Sequence, residues 1–216
     1  MWVFASYLTT AVRENSVTNC AVGLANAGMF GAGPVTFEDN VVDGQSLAGS
    51  TGVYLTTSLF VSGDADGTTE MTGNVVTGTD VGVVLEATTC PGTPACASPT
   101  PRTLNATLKR NDISGNVAGA QTTGTGTINA DLRINWWGSD TGPNHTLNPS
   151  GTGNSVTDGI TYSPWLGIGT DASGAQGFQL ASPMTWVAGP AVCGASCIQA
   201  AIDYSANGDT VKVKSG

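Results

Sequence analysis

The residues of this chain best suited by type and spacing to chemistry are three carboxylates in one short loop, Asp64, Asp66 and Glu70 of "SGDADGTTE". Hard oxygen donors in a glycine-containing loop are what Ca²⁺ takes, but this spacing does not complete an EF-hand loop. A solvated acidic loop is therefore the first reading and a weak calcium site the second. Cysteines offer the other chemistry. Of five, four form two close pairs, Cys90 with Cys96 in "CPGTPAC" and Cys193 with Cys197 in "CGASC". A zinc site would want four ligands, and the single histidine, His145, lies far from both pairs in sequence. Small disulfide loops are expected instead. Cys20 is left over and is expected to be buried as a small hydrophobe. His145 stands among turn formers in "GPNHTLNP", where a lone histidine reads as a surface residue. No catalytic residue is assigned.

The elements that must position these groups follow from composition. Of 216 residues 30 are Gly, 11% are charged and 40% are hydrophobic, a mixture that suits strands and turns better than helices. Seven Lys and Arg against 16 Asp and Glu give a formal net charge of -9. That balance argues against nucleic acid, whose phosphates demand a basic face, and against an anionic membrane surface. No apolar run reaches the length of a membrane span, so no membrane insertion is expected. The opening "MWVFASYLTTAVREN" lacks the basic n-region of a signal peptide.

Helical periodicity is nearly absent, and self-similarity takes its place. Five segments align on an asparagine: "VRENSVTN", "FEDNVVDG", "MTGNVVTG", "LKRNDISG" and "LRINWWGS". An apolar residue stands three before the Asn (Val12, Phe37, Met71, Leu108, Leu132) and another two after it (Val17, Val42, Val76, Ile113, Trp137). In three copies a Gly follows later, at Gly23, Gly82 and Gly119, and an insertion delays it to Gly52 in the second copy. Residues of one strand face recur every second position, so an odd separation of three places a bend between two strands. Asn tolerates the left-handed conformation such a bend requires. Stacking the copies would bring Asn15, Asn40, Asn74, Asn111 and Asn135 into a column whose side-chain amides bond above and below.

On these residues the chain resembles the right-handed parallel β-helix superfamily, the pectin-lyase-like fold, and in particular its repeat-rich secreted and surface members. The resemblance covers positions 12 to 138 through the repeats. It continues through "NWWGSDTGPN" and "VTDGITYSPWLG", which are similar to the ending such solenoids use. It implies an all-β solenoid of about five coils over residues 1–167, with Trp136, Trp137 and Trp165 as a terminal plug. Trp137 takes the inward template position, and Trp136 is expected under the "GSDTGP" loop or near Trp165. Residues 168–190 read as a linker and connecting strand. The tail 191–216, "CIQAAIDYSANGDTVKVKSG" in its main part, resembles the capped opening of a second such domain, with Ile198, Ala201 and Ile202 on the buried face of its helix. The whole reads as a piece of a longer, multi-domain surface protein.

Enzymes of this superfamily cleave acidic polysaccharides, and their signatures are missing: there is no Gly-His-Gly, and the "RIN" at 133–135 is accounted for by the repeat. The resemblance therefore implies a non-catalytic extracellular or cell-surface segment that presents loops for adhesion or carbohydrate binding, with another surface protein as the other partner class. The alternatives are a fragment of a polysaccharide lyase or glycoside hydrolase, and a structural spacer that self-associates end to end. No cofactor is expected beyond the weak calcium site. A chelator tests that site: a melting temperature that drops in EDTA marks bound calcium at Asp64, Asp66 and Glu70, and an unchanged melting curve removes it.

Overall fold

The computed structural model describes residues 1–4, 9–27, 34–57, 66–90 and 100–214. Asp64 and Cys96, and with Cys96 its pairing to Cys90, lie outside the described residues. The chain runs through β1 (Trp2–Phe4), β2 (Thr10–Arg13), β3 (Ser16–Thr18), β4 (Val22–Ala27), β5 (Val35–Glu38), β6 (Val41–Thr56), β7 (Gly67–Thr72) and β8 (Val75–Ala87). It continues through β9 (Thr89–Cys90), β10 (Thr100–Pro101), β11 (Thr103–Lys109), β12 (Ala118–Gly124), β13 (Thr127–Asp131), β14 (Ile160–Thr161) and β15 (Trp165–Leu166). The last elements are β16 (Thr185–Ala188), the helices α1 (Pro190–Cys193) and α2 (Ala195–Tyr204), and β17 (Thr210–Val213).

Most of these strands belong to two long parallel sheets. The first has the order β1-β4-β6-β8-β12, with β3 also beside β6, and the second has the order β14-β13-β11-β7-β5-β2. The chain visits the sheets in turn, so each return lays a strand parallel to its predecessor. Alternation does the rest: along β5, Val35 and Phe37 are fully buried while Thr36 and Glu38 stay half-buried. Inward residues of both sheets, among them Phe37, Leu108, Leu24, Leu55 and Leu85, merge into one core. One polar bridge crosses it, from Asn26 Nδ2 to Thr69 Oγ1 at 2.8 Å.

The bend from second sheet to first corrects one expectation. The left-handed residue is the one before each repeat asparagine: Glu14, Asp39, Gly73, Arg110 and Ile134 have φ of 53, 52, 68, 58 and 55°. Asn serves the bend through its side chain. Asn15 donates its backbone N–H and its Nδ2 to Asn40 Oδ1, both at 3.0 Å. The same two bonds run from Asn40 to Asn74 at 3.0 and 2.9 Å, and from Asn74 to Asn111 at 3.0 and 2.8 Å. They end with Asn111 to Asn135 at 2.9 and 3.0 Å. The four amides after Asn15 also reach back, Asn40 to Val12 O, Asn74 to Phe37 O, Asn111 to Met71 O and Asn135 to Leu108 O. Four of the five asparagines are completely buried, so these bonds satisfy groups that water cannot reach.

The recurrent glycines have a steric reason. A Cβ on Gly23, Gly52 or Gly82 would fall within 2.6, 2.7 and 2.6 Å of the carbonyl oxygen of Gly52, Gly82 and Gly119 respectively. It would also strike the inward Val42, Val76 or Ile113 of the next repeat. Only a residue without a side chain lets the strands approach at this corner.

Beyond Ile160 the chain leaves this pattern. β15 pairs antiparallel with β16, and β16 parallel with β17. With α2 they close a second apolar cluster, in which Leu166, Phe178, Trp186, Cys197 and Ala201 pack on Ile134, flanked by Val75 and Trp136. The tail is thus fastened to the outside of the bend: Phe178 N–H donates to Gly73 O at 2.6 Å, and Lys214 Nζ donates to Thr141 O at 3.0 Å. A Cys193–Cys197 disulfide, with Cα atoms 5.5 Å apart, joins α1 to α2.

Three further expectations are corrected. Ile202 is 50% exposed, because the helix turns Cys197, Ala201 and Tyr204 inward at i, i+4 and i+7 spacing, which points Ile202 away. Cys20 is exposed, since it follows the left-handed Asn19 at a corner and faces outward. Trp137 and Trp165 are both fully buried in the main core, whereas Trp136, its neighbour on an alternating strand, faces out into the second cluster against Gly169. The residue under the "GSDTGP" loop is Trp165, whose Nε1–H donates to Asp140 O at 3.1 Å and whose ring leaves Gly142 no room for a Cβ.

The asparagine column carries an unequal load. Asn74→Ala strips a buried amide and leaves the Asn40 donors without an acceptor, a loss of about 2–4 kcal/mol. Asn15→Ala, at the half-buried end, costs about 1 kcal/mol or less. Urea denaturation of the two variants checks the order.

Candidate functional site

The outward positions of the second sheet repeat as regularly as the inward ones. Four residues before each repeat asparagine stand Ala11, Thr36, Glu70, Thr107 and Asp131, and strand pairing sets them side by side in one row. Two before it stand Arg13, Glu38, Thr72 and Lys109, paired in the same way. A third row is Thr68, Asn105 and Asn129, with Asn129 Nδ2 donating to Asn105 Oδ1 at 2.8 Å. Two depressions lie on this grid. One, of about 310 Å³, is lined by the polar Thr36, Glu38, Glu70, Thr72, Thr107, Lys109 and Arg110 and by the apolar or aromatic Met71, Ile134 and Tyr204. The other, of about 400 Å³, is lined by Asn105, Thr107, Asn129, Asp131 and Thr161 among others. Thr107 belongs to both, so they adjoin as one track running from strand to strand, its rim polar and its floor partly apolar.

Most charges on the track are already paired. Arg13 Nε lies 2.7 Å from Glu38, Lys109 Nζ 3.0 Å from Asp131, and Arg133 Nε 2.7 Å from the other Asp131 oxygen. Burial alone would raise Asp131, but the Arg133 and Lys109 bonds outweigh it and hold the carboxyl below its usual range. Burial would likewise lower Lys109, and its contacts with Tyr204 and Asp131 hold it above. The Tyr204 ring has Lys109 and Arg133 over it, 5.5 and 5.8 Å from its centroid, and stacks on Trp186 at 6.1 Å. Trp186 is pinned in turn by a 2.9 Å bond to Asp209. The C-terminal helix therefore supplies one wall of a track built by the sheet. Among the described residues Glu70 and Arg110 have no ion-pair or hydrogen-bonding side-chain partner.

The remaining candidates fall elsewhere. Asp66 Oδ1 accepts from Thr103 N–H at 2.7 Å, and Glu70 stands four residues on, about 13 Å away by strand rise, too far to share one ion. Among the described residues no three His, Cys, Asp or Glu side chains gather where a metal could sit. The ring of His145 is not a solvated loop group: it is 8% exposed, lies edge-on to Tyr162 at 5.4 Å, and meets Asp158 through Nε2 at 3.0 Å. Leu147 N–H donates to Nδ1, which assigns the ring proton to Nε2. This histidine locks a turn.

Asp112 is the least comfortable polar group. It sits between Val75 and Trp136 in register, beneath the segment that carries Asp171, and its Oδ1 is buried without a partner. Burial raises its pKa, helped by Asp171 and opposed by bonds to Ser114.

No protein-family model matches the chain, and neither does any curated protein or solved structure. The track is read from its own chemistry: rows of hydroxyls, amides and paired ions at strand spacing, open to solvent, suited to hydrogen-bonding a polyhydroxylated chain. Its sheet residues had a sequence signal, the template positions four and two before each asparagine. Tyr204 had none, because only the folding back of the tail brings it there.

Asp112 gives a pH test. Its folded pKa lies above the ordinary 3.8, so the charged form costs stability at neutral pH, and that cost fades as pH falls through the raised value and is gone below 3.8. Asp112→Asn is expected to raise the melting temperature at pH 7 and to lose that gain near pH 3.5 (about, set by the reference value). Thermal melts of both proteins across this range decide it.

Proposed function

We propose that this chain is a right-handed parallel β-helix segment of a secreted or cell-surface protein, and that the outward face of its second sheet binds carbohydrate without cleaving it. The observation that carries the reading is the continuous track across β5, β7, β11 and β13, with its rows of Thr, Asn and charged side chains. The resemblance to pectin-lyase-like solenoids is supported by two parallel sheets that the chain visits in turn and by the asparagine bonds at each bend. The extracellular placement is supported by the Cys193–Cys197 disulfide. No helix of the described residues is long and apolar enough to cross a membrane, which is compatible with that placement.

Binding without catalysis is supported by how the ions are arranged. Glu38 is engaged by Arg13 and Asp131 by two cations, which leaves Glu70 as the one unengaged carboxylate among the described residues of the track. The competing reading, a fragment of a lyase or hydrolase, draws on Glu38 and Glu70 lining one groove as diagonal neighbours, about 8 Å apart by strand geometry. One experiment separates them. On a glycan array the protein is expected to retain short oligosaccharides, with no unsaturated uronide and no new reducing ends in parallel assays. Thr107→Trp, which fills the junction of the two depressions, is expected to abolish retention with the melting temperature unchanged. Silence on the array overturns the binding reading, and product release replaces it with the enzymatic one.

A further inference from the structure

We propose that the track selects a sugar chain carrying a protonated amine, and that Glu70 is the residue that reads it. This inference rests on the carbohydrate reading of the same track and deepens it to a ligand class. Three carboxylates face the track, and two are spoken for: Glu38 by Arg13 at 2.7 Å, Asp131 by Lys109 and Arg133 at 3.0 and 2.7 Å. Glu70 is exposed on the middle strand, and its neighbours in the row are threonines on both sides, Thr36 and Thr107. Threonine hydroxyls hydrogen-bond to a sugar but bring no charge, so a ligand that supplies a cation at this point gives Glu70 a counter-ion that no described side chain supplies. The hydroxyl rows on either side hold the neutral remainder of the chain.

Arg110 is the counterweight. It lines the same depression without an anionic partner among the described residues, and its charge invites a carboxylate-bearing sugar instead. Two facts place it second. It stands at the bend, three residues beyond Thr107, the partner of Glu70, and lines the first depression but not the second. Glu70, by contrast, lies in the row that both depressions share through Thr107, where a ligand spanning the track must pass.

The test uses the full chain and four short oligomers of matched length: glucosamine, N-acetylglucosamine, glucose and glucuronate, titrated calorimetrically at pH 6. The glucosamine oligomer is expected to bind about threefold to fivefold tighter than the glucose oligomer, the gain an exposed ion pair supplies. Glu70→Gln should erase that preference, so that the variant binds the glucosamine oligomer no tighter than it binds the glucose oligomer, and raised salt should compress the preference in the wild type. Equal binding of amine and neutral oligomers, or tighter binding of the glucuronate oligomer, overturns the role of Glu70 and leaves the carbohydrate reading intact. Failure of all four oligomers to bind overturns that underlying reading instead.

Discussion

The bonded asparagine column is the interaction on which the rest of this structure depends. A chain that turns from one sheet to the other at the same place in every repeat buries the same backbone groups each time, and in a bend those groups have no ladder partner. One side chain resolves this. The amide accepts from the asparagine before it and donates to the one after it and to a backbone carbonyl, so a bend that would otherwise be left polar and unsatisfied becomes bonded throughout. The left-handed residue just ahead of it supplies the change of direction. Turning and bonding are thus divided between two adjacent positions, which is why Glu, Asp, Gly, Arg and Ile are all accepted at the first while the second is always Asn.

Register follows from that column, and the surface follows from register. A slip of one residue would expose Phe37 and Leu108 and bury Glu38 and Lys109, so burial of the inner face holds the outer rows in place. The same constraint sets the glycine corner, where the backbone of one repeat touches the inward side chain of the next. The polar track is therefore a rigid consequence of the core. Its charges are rigid too: Asp131 is held by two cations, and Lys109 and Arg133 are covered by the Tyr204 ring, which Trp186 backs. Glu70 gains its distinction because the other carboxylates of the track, Glu38 and Asp131, are paired.

The second cluster shows the same logic with a less settled result. By alternation, the residue after each asparagine faces outward, and the tail covers three of these positions, Val75, Asp112 and Trp136. Two are apolar and gain from the cover. Asp112 does not, and its buried, unpartnered oxygen records a site where the covering layer was accommodated without a bond.

How much of this could be read beforehand depended on whether a property repeats. The five-fold template places the inward residues, the bends and the asparagines, because periodic burial leaves a periodic pattern, and the same template holds the track in its outward columns. Particular residues escaped where the pattern stops. What covers Trp136 and leaves Ile202 exposed comes from how the tail packs. Residue type does not set the exposure of Cys20 or His145, which depends on which corner each occupies and what closes over it. The sequence by itself determined the strand alternation, the bends and the rows of side chains, since these obey a short-range period. Only the tertiary structure decided that the tail folds back, that Tyr204 and Trp186 wall the track, and which charges pair, because those contacts join residues with no shared period and are selected by the shape of the packed chain.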